Sequence, residues 1–146
     1  MPVAGLRDIM DAMVSQIEAA VEDDYDVQVF RGILWNPTPP TIDVFPGGVA
    51  RNGADAGFDD LSGGYLFTVR ARVLTADVEA GQDLLLRFMD DTDSMCIAGA
   101  LMADPTLNGL AATLTVRDLS GWQPYPGIEG EMLGFSFTCE VIAGES

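Results

Sequence analysis

Histidine and lysine are both absent from this chain. Without histidine there is no imidazole base, no Ser-His-Asp triad and no imidazole ligand for a metal. Without lysine there is neither a phosphate-binding P-loop nor a Schiff-base amine. The seven basic residues are all arginines: Arg7, Arg31, Arg51, Arg70, Arg72, Arg87 and Arg117. Against them stand 23 acids, for a formal charge of −16. Sequence-independent binding to nucleic acid needs many cations facing phosphates, and this balance argues against it. Cys96 and Cys139 are the only cysteines. They fall in a helical run and a strand, and read as small buried hydrophobes rather than a disulfide or metal site. No apolar run approaches the roughly 18 residues of a membrane span. The start, MPVAGLRDIM, lacks an apolar stretch behind basic residues, so no signal peptide is expected. These features suit a soluble protein made in a reducing cytoplasm.

What is present fits one domain over residues 1–146, long enough to bury about 68–70% of its unfolded surface without a metal or disulfide. The stretch YLFTVRARVLTADVEAGQDLLLRFMDD at 65–91 organises the rest. Tyr65, Phe67, Val69, Ala71 and Val73 alternate with Thr68, Arg70 and Arg72, which predicts a strand with one apolar and one polar face. The period then changes. Val78, Leu84, Leu85, Phe88 and Met89 share one side of a helix, with Asp77 and Glu79 near its N-terminus, where negative charge is favoured.

Taken in order, residues 5–22 predict a helix with Ile9, Met13 and Ile17 on its apolar stripe. Glu22, Asp23, Asp24 and Asp26 read as a solvated turn, since calcium-loop spacing is missing. Residues 25–31 and 41–45 read as strands, separated by the proline-rich LWNPTPP. Residues 47–64 are rich in Gly and Asp and read as a long hairpin tip or, the favoured reading, a flexible loop that orders only against a partner, with Phe58, Asp59 and Asp60 as its contact residues. The acidic run DDTD at 90–93 is a solvated connection. Residues 94–103 predict a helix capped by Asp93 or Ser94 and stopped by Asp104-Pro105. Asn108-Gly109 signals a turn. Residues 112–119 and 132–142 predict strands around a loop carrying Trp122 and Tyr125, which either forms an interaction site or folds back on the sheet edge. Hairpin-like connections favour antiparallel pairing. The expected fold is α+β: a single, largely antiparallel sheet with helices packed on one face.

No motif in this pattern carries catalysis, and no cofactor or metal is implied. Resemblance says more. The runs PPTIDVFPGG, FTVRARVLTADVEAGQDLLLRFMDD, CIAGAL, DPTLNG and FSFTCEV resemble, in order, the tail terminator proteins of long-tailed bacteriophages, those of phages infecting actinobacteria above all. The resemblance covers residues 38–142 and rests on phrase-level similarity and element order. It implies a non-enzymatic virion protein, made in the bacterial host cytoplasm. It implies a ring, six-fold in that family, that caps the tail tube, ends its polymerisation and joins it to the head connector. DNA would pass through the ring without specific binding, and a negative lumen would let it slide. Head–tail connector and stopper proteins have similar sizes and form the first alternative; a small intracellular ligand-binding domain is the second. On the ring reading, Arg70 and Arg72 are expected either to grip acids of an adjacent subunit or to meet local carboxylates in solvent.

Overall fold

A computed structural model describes residues 6–21, 27–32, 40–47, 64–74, 78–93, 95–117, 119–125 and 132–143. The acidic run Glu22–Asp26, Asp77 and the Gly/Asp-rich residues 48–63, with Phe58, Asp59 and Asp60, lie outside the described residues. In chain order the elements are α1 (Leu6–Ala20), β1 (Gln28–Arg31), β2 (Thr41–Pro46), β3 (Gly64–Leu74), α2 (Val78–Met89), α3 (Ile97–Met102), β4 (Ala111–Arg117), β5 (Gln123–Tyr125) and β6 (Met132–Ala143). The fold is α+β, with one six-stranded sheet in the order β1-β2-β3-β6-β4. β5 also pairs with β6, opposite Met132–Gly134, so β4 and β5 share one flank of that strand.

β3 and β6 pair antiparallel along the whole length of β3, from Gly64↔Ile142 to Leu74↔Met132. Their pleat sorts side chains by parity. Phe67, Val69, Ala71 and Val73 of β3 face the helices with Phe135, Phe137, Cys139 and Val141 of β6, all buried. Ile42 and Val44 of β2 extend this face. Over it lie α1, against β1 and β2, α2 against β3, and α3 against β4. α1 contributes Ile9, Met13 and Ile17, each 0% exposed, at four-residue intervals that keep one stripe on the sheet. α2 contributes Leu84, Leu85 and Phe88. Burial pushes the Cys139 thiol well above its ordinary value, as expected for a small hydrophobe in the core.

Four features depart from the sequence reading. β1 and β2 run parallel, not antiparallel. A four-residue strand is only about 13 Å long, and the chain between Arg31 and Thr41 has enough residues to return to its start. The helix expected from residue 94 begins at Ile97, with Cys96 at the N-cap and no side-chain capping bond. Asp93 instead accepts from the Met95 amide and closes the turn before the helix. The connection expected over 120–131 contains β5, whose proline and lack of alternation hide it. Finally, the second face of the sheet is not simply solvated: Thr41, Asp43, Arg72 and Thr138 are buried on it.

That face needs glycine at 134. A Cβ there would lie 2.1 Å from the Ala71 carbonyl oxygen, 3.0 Å from the Tyr125 ring and 3.1 Å from Arg72 Cγ. Backbone cannot step aside as a flexible side-chain tip can. Gly134→Ala is therefore expected to destabilise the fold by about 3 kcal/mol or more in urea unfolding. Gly121→Ala, with nothing near its Cβ, should stay within about 0.5 kcal/mol. Equal midpoints for the two variants would contradict the close approach.

Candidate functional site

The chemistry of the polar sheet face centres on Asp43. On β2 it lies directly across from Arg70 of β3 and one diagonal step from Arg72, whose partner is Thr41. Period-two alternation therefore puts all three side chains on one face. Arg70 donates from Nε to Asp43 Oδ1 at 3.1 Å and from Nη2 to Oδ2 at 2.6 Å. Arg72 adds a bond from Nη2 to the same Oδ2 at 3.1 Å. The Asp43 side chain is 0% exposed, against 17% for Arg70 and 5% for Arg72. Burial pulls the Arg72 guanidinium below its ordinary value. Asp43 opposes that shift, Arg70 reinforces it, and Tyr125 weakly opposes it.

Two aromatic rings flank the cluster. The Arg70 guanidinium carbon lies 5.2 Å from the Phe45 ring centre and 5.5 Å from that of Tyr125. Both distances fall within cation–π range. Tyr125 is brought there by β5, anchored by two contacts to the preceding loop. The Ser120 amide donates to the Ser136 carbonyl, and Ser120 Oγ accepts from the Ser136 amide. Thr41 Oγ1, also buried, has no hydrogen-bond partner among the described residues.

Arg70, Arg72 and Tyr125 thus form one site. The two arginines meet a carboxylate of their own chain, as the local alternative had it, but in a buried cluster rather than in solvent. Trp122 lies apart. It is 37% exposed, with its indole N–H 3.1 Å from Met89 Sδ on α2. The anticipated Trp122/Tyr125 loop therefore divides, with Tyr125 folded onto the sheet and Trp122 at the surface. Sequence reasoning missed Asp43, although its position between Ile42 and Val44, in a strand beside one carrying two arginines, was the available signal.

The acidic run at 90–93 is a set of turn closures. Asp90 Oδ1 accepts from the Thr92 amide and hydroxyl. Asp93 receives Nε of Arg87 at 2.9 Å and also the Met95 amide. Asp104 accepts from Thr106 and the Asn108 amide, holding a turn in which Leu107, Asn108 and Gly109 all have positive φ. Beside these turns is an open groove of about 520 Å³, bordered by Gln16, Ala19 and Ala20 of α1, Asp91, Asp93 and Cys96, and then Gly99, Ala100, Ala103 and Asp104. Gln16 spans one side, donating to the carbonyls of Ala100 and Leu101. Among the described residues no group of three or more Cys, Asp or Glu side chains is placed to hold a metal ion. Nor, among them, is any helix long and apolar enough to cross a membrane. No protein-family model matches the chain, and no curated protein is significantly similar to it.

Two predictions follow from these geometries. Asp43→Asn removes the buried charge that the Arg70 and Arg72 guanidinium groups both meet and is expected to cost about 3–5 kcal/mol. Arg31→Ala, which removes an exposed pair with Asp11, is expected to cost no more than about 1 kcal/mol. Urea unfolding of the two variants checks the contrast, and comparable losses would contradict it. Separately, hydrogen bonds hold the carboxyls of Asp90, Asp93 and Asp104 below their ordinary value, those to Thr92, Arg87 and Thr106 most strongly. Lowered folded-state values mean that this stabilisation is complete above about pH 4 and is lost as pH falls through the folded values. Amide exchange at Thr92, Met95, Thr106 and Asn108, corrected for intrinsic rates, should therefore accelerate on acidification from about pH 5 to about pH 2.5. The β3–β6 ladder should lag behind. Uniform loss of protection would oppose this.

Proposed function

We propose that this chain is a structural subunit of a bacteriophage tail. Copies form a ring, six-fold as in the proteins it resembles, that caps the tail tube, ends tube growth and presents the surface that joins tail to head. Its partners are further copies of itself, the tail tube protein and the head–tail connector, and its place is the virion after assembly in the host cytoplasm. It performs no chemistry and carries no cofactor.

One observation supports this reading most directly: most of the described cations are engaged internally. Five of the six described arginines sit in ion pairs with carboxylates of the same chain, at Asp11, Asp43, Asp93 and Glu140. The acidic excess is therefore displayed while the positive charge is largely neutralised. A surface of that kind repels phosphate, as a passage for DNA requires.

Such a chain also repels its own copies, and that supplies the test. Ring formation should strengthen as salt rises, because the Debye length shrinks from about 30 Å at 0.01 M to about 3 Å at 1 M. Sedimentation velocity across that range should show a growing discrete oligomer, with electron micrographs showing an annulus. Added to polymerising tail tube protein, the chain should limit tube length. A chain that stays monomeric at all salt concentrations and leaves tube length unchanged would overturn the assignment.

A further inference from the structure

The chain carries complementary features at opposite ends of α1. At its N-terminal end is Arg7, exposed on the first turn. Among the described residues it is the one arginine with no carboxylate within ion-pair distance, since Arg31, Arg70, Arg72, Arg87 and Arg117 are all paired. At the C-terminal end is the groove between Ala19, Ala20, Gly99, Ala100 and Ala103. Its floor is made of small side chains, so a long side chain can enter. Its border is negative. Asp91 is exposed there and makes no hydrogen bond or ion pair among the described residues, while Asp104 stands at the far side. The C-terminal end of the α1 macrodipole adds negative potential in the same place.

We propose that the groove is the docking site for a second copy of this chain, and that Arg7 of that copy enters it to meet Asp91. The proposal rests on the ring reading above and names the surfaces that build it. Charge complementarity selects the occupant: in so acidic a chain, the exposed cation and the small-residue groove with an unengaged acid are a matched pair. On the ring reading, with knob and socket at opposite ends of a helix about 21 Å long, each copy presents a socket to one neighbour and a knob to another. Such a heterologous contact propagates head to tail and yields a ring when the rotation closes. The guanidinium suits the socket because its planar fork matches a carboxylate two bonds at a time, with its stem lying along the alanines.

Charge exchange in the full-length protein tests this. Arg7→Glu, Asp91→Arg and the double variant are followed by sedimentation velocity and electron microscopy at the salt concentration where the wild type forms rings, with circular dichroism to confirm the fold. Each single variant is expected to raise the concentration for half-assembly by about tenfold or more, and the double variant to return it to within about threefold of wild type. D91R discriminates further. It makes the chain less negative, so if overall repulsion alone governed assembly it would strengthen the ring, whereas loss of a specific pair weakens it. Rings that persist in both single variants, a strengthened ring in D91R, or additive loss in the double variant would overturn this contact while leaving the ring reading intact. Failure of the wild type to assemble under any condition would overturn both.

Discussion

The ladder between β3 and β6 is the constraint from which every other element takes its place. It runs the full length of β3, and alternation along it assigns each side chain to one of two faces. A slip of one residue would carry Phe67, Val69, Phe135 and Phe137 to the polar side and Arg70 to the core. β2 is registered onto this ladder through Asp43. Its carboxylate is held without solvent by Arg70, directly opposite, and Arg72, one step away. A one-residue slip of β2 would turn the acid to the apolar face, away from both arginines. Gly134 completes the arrangement, since only a residue without Cβ lets the Arg72 stem and the Tyr125 ring lie across β6.

Acidic residues in this chain do more than charge the surface. Asp90, Asp93 and Asp104 each accept two or more hydrogen bonds within a few residues of themselves. Together they shape the connections on either side of α3, a helix too short to define its own position. The turn after α3 holds Leu107 at positive φ while burying its side chain completely. A non-glycine residue in that region is disfavoured by roughly 1–2 kcal/mol, and core packing together with the bonds to Asp104 offsets the strain. The same turn fixes the border of the groove. Local carboxylate chemistry and the shape of the proposed docking surface are therefore one structure.

Periodicity made most of the fold legible. α1, α2, β3, β4 and β6 each carry several turns or pleats of clear alternation, and the structure places each within a few residues of the expected bounds. What was not legible depends on contacts remote in sequence. β5 is a three-residue strand containing a proline, and it exists because β6 offers it a free flank. β1 lies parallel to β2, a pairing that no local pattern encodes. α3 starts late because Asp93 is claimed by Arg87 and the Met95 amide, leaving Cys96 at the cap position. For the site, the strand alternation singled out Arg70 and Arg72, but their partner was hidden. An aspartate inside TIDVF reads as a solvent-facing position, and only the pairing of β2 with β3 turns it into a buried hub.

The exclusive use of arginine bears on both fold and surface. At Asp43, Arg70 meets both carboxylate oxygens while lying between two aromatic rings, a geometry open to a planar delocalised cation and closed to an ammonium. The same bidentate grip recurs where Arg87 holds Asp93. Each guanidinium used this way fixes two elements to one another and removes a positive charge from the exterior. A chain with few cations, five of the six described ones engaged internally, presents an acidic exterior as a consequence of how its interior is held together. Such an exterior disfavours indiscriminate association with nucleic acid and with copies of itself. Self-assembly of the proposed kind would then need a local contact good enough to overcome the general repulsion. That places the burden on the few features where charge is unbalanced in the useful direction, and the exposed Arg7 in the first turn of α1 is the clearest of them among the described residues.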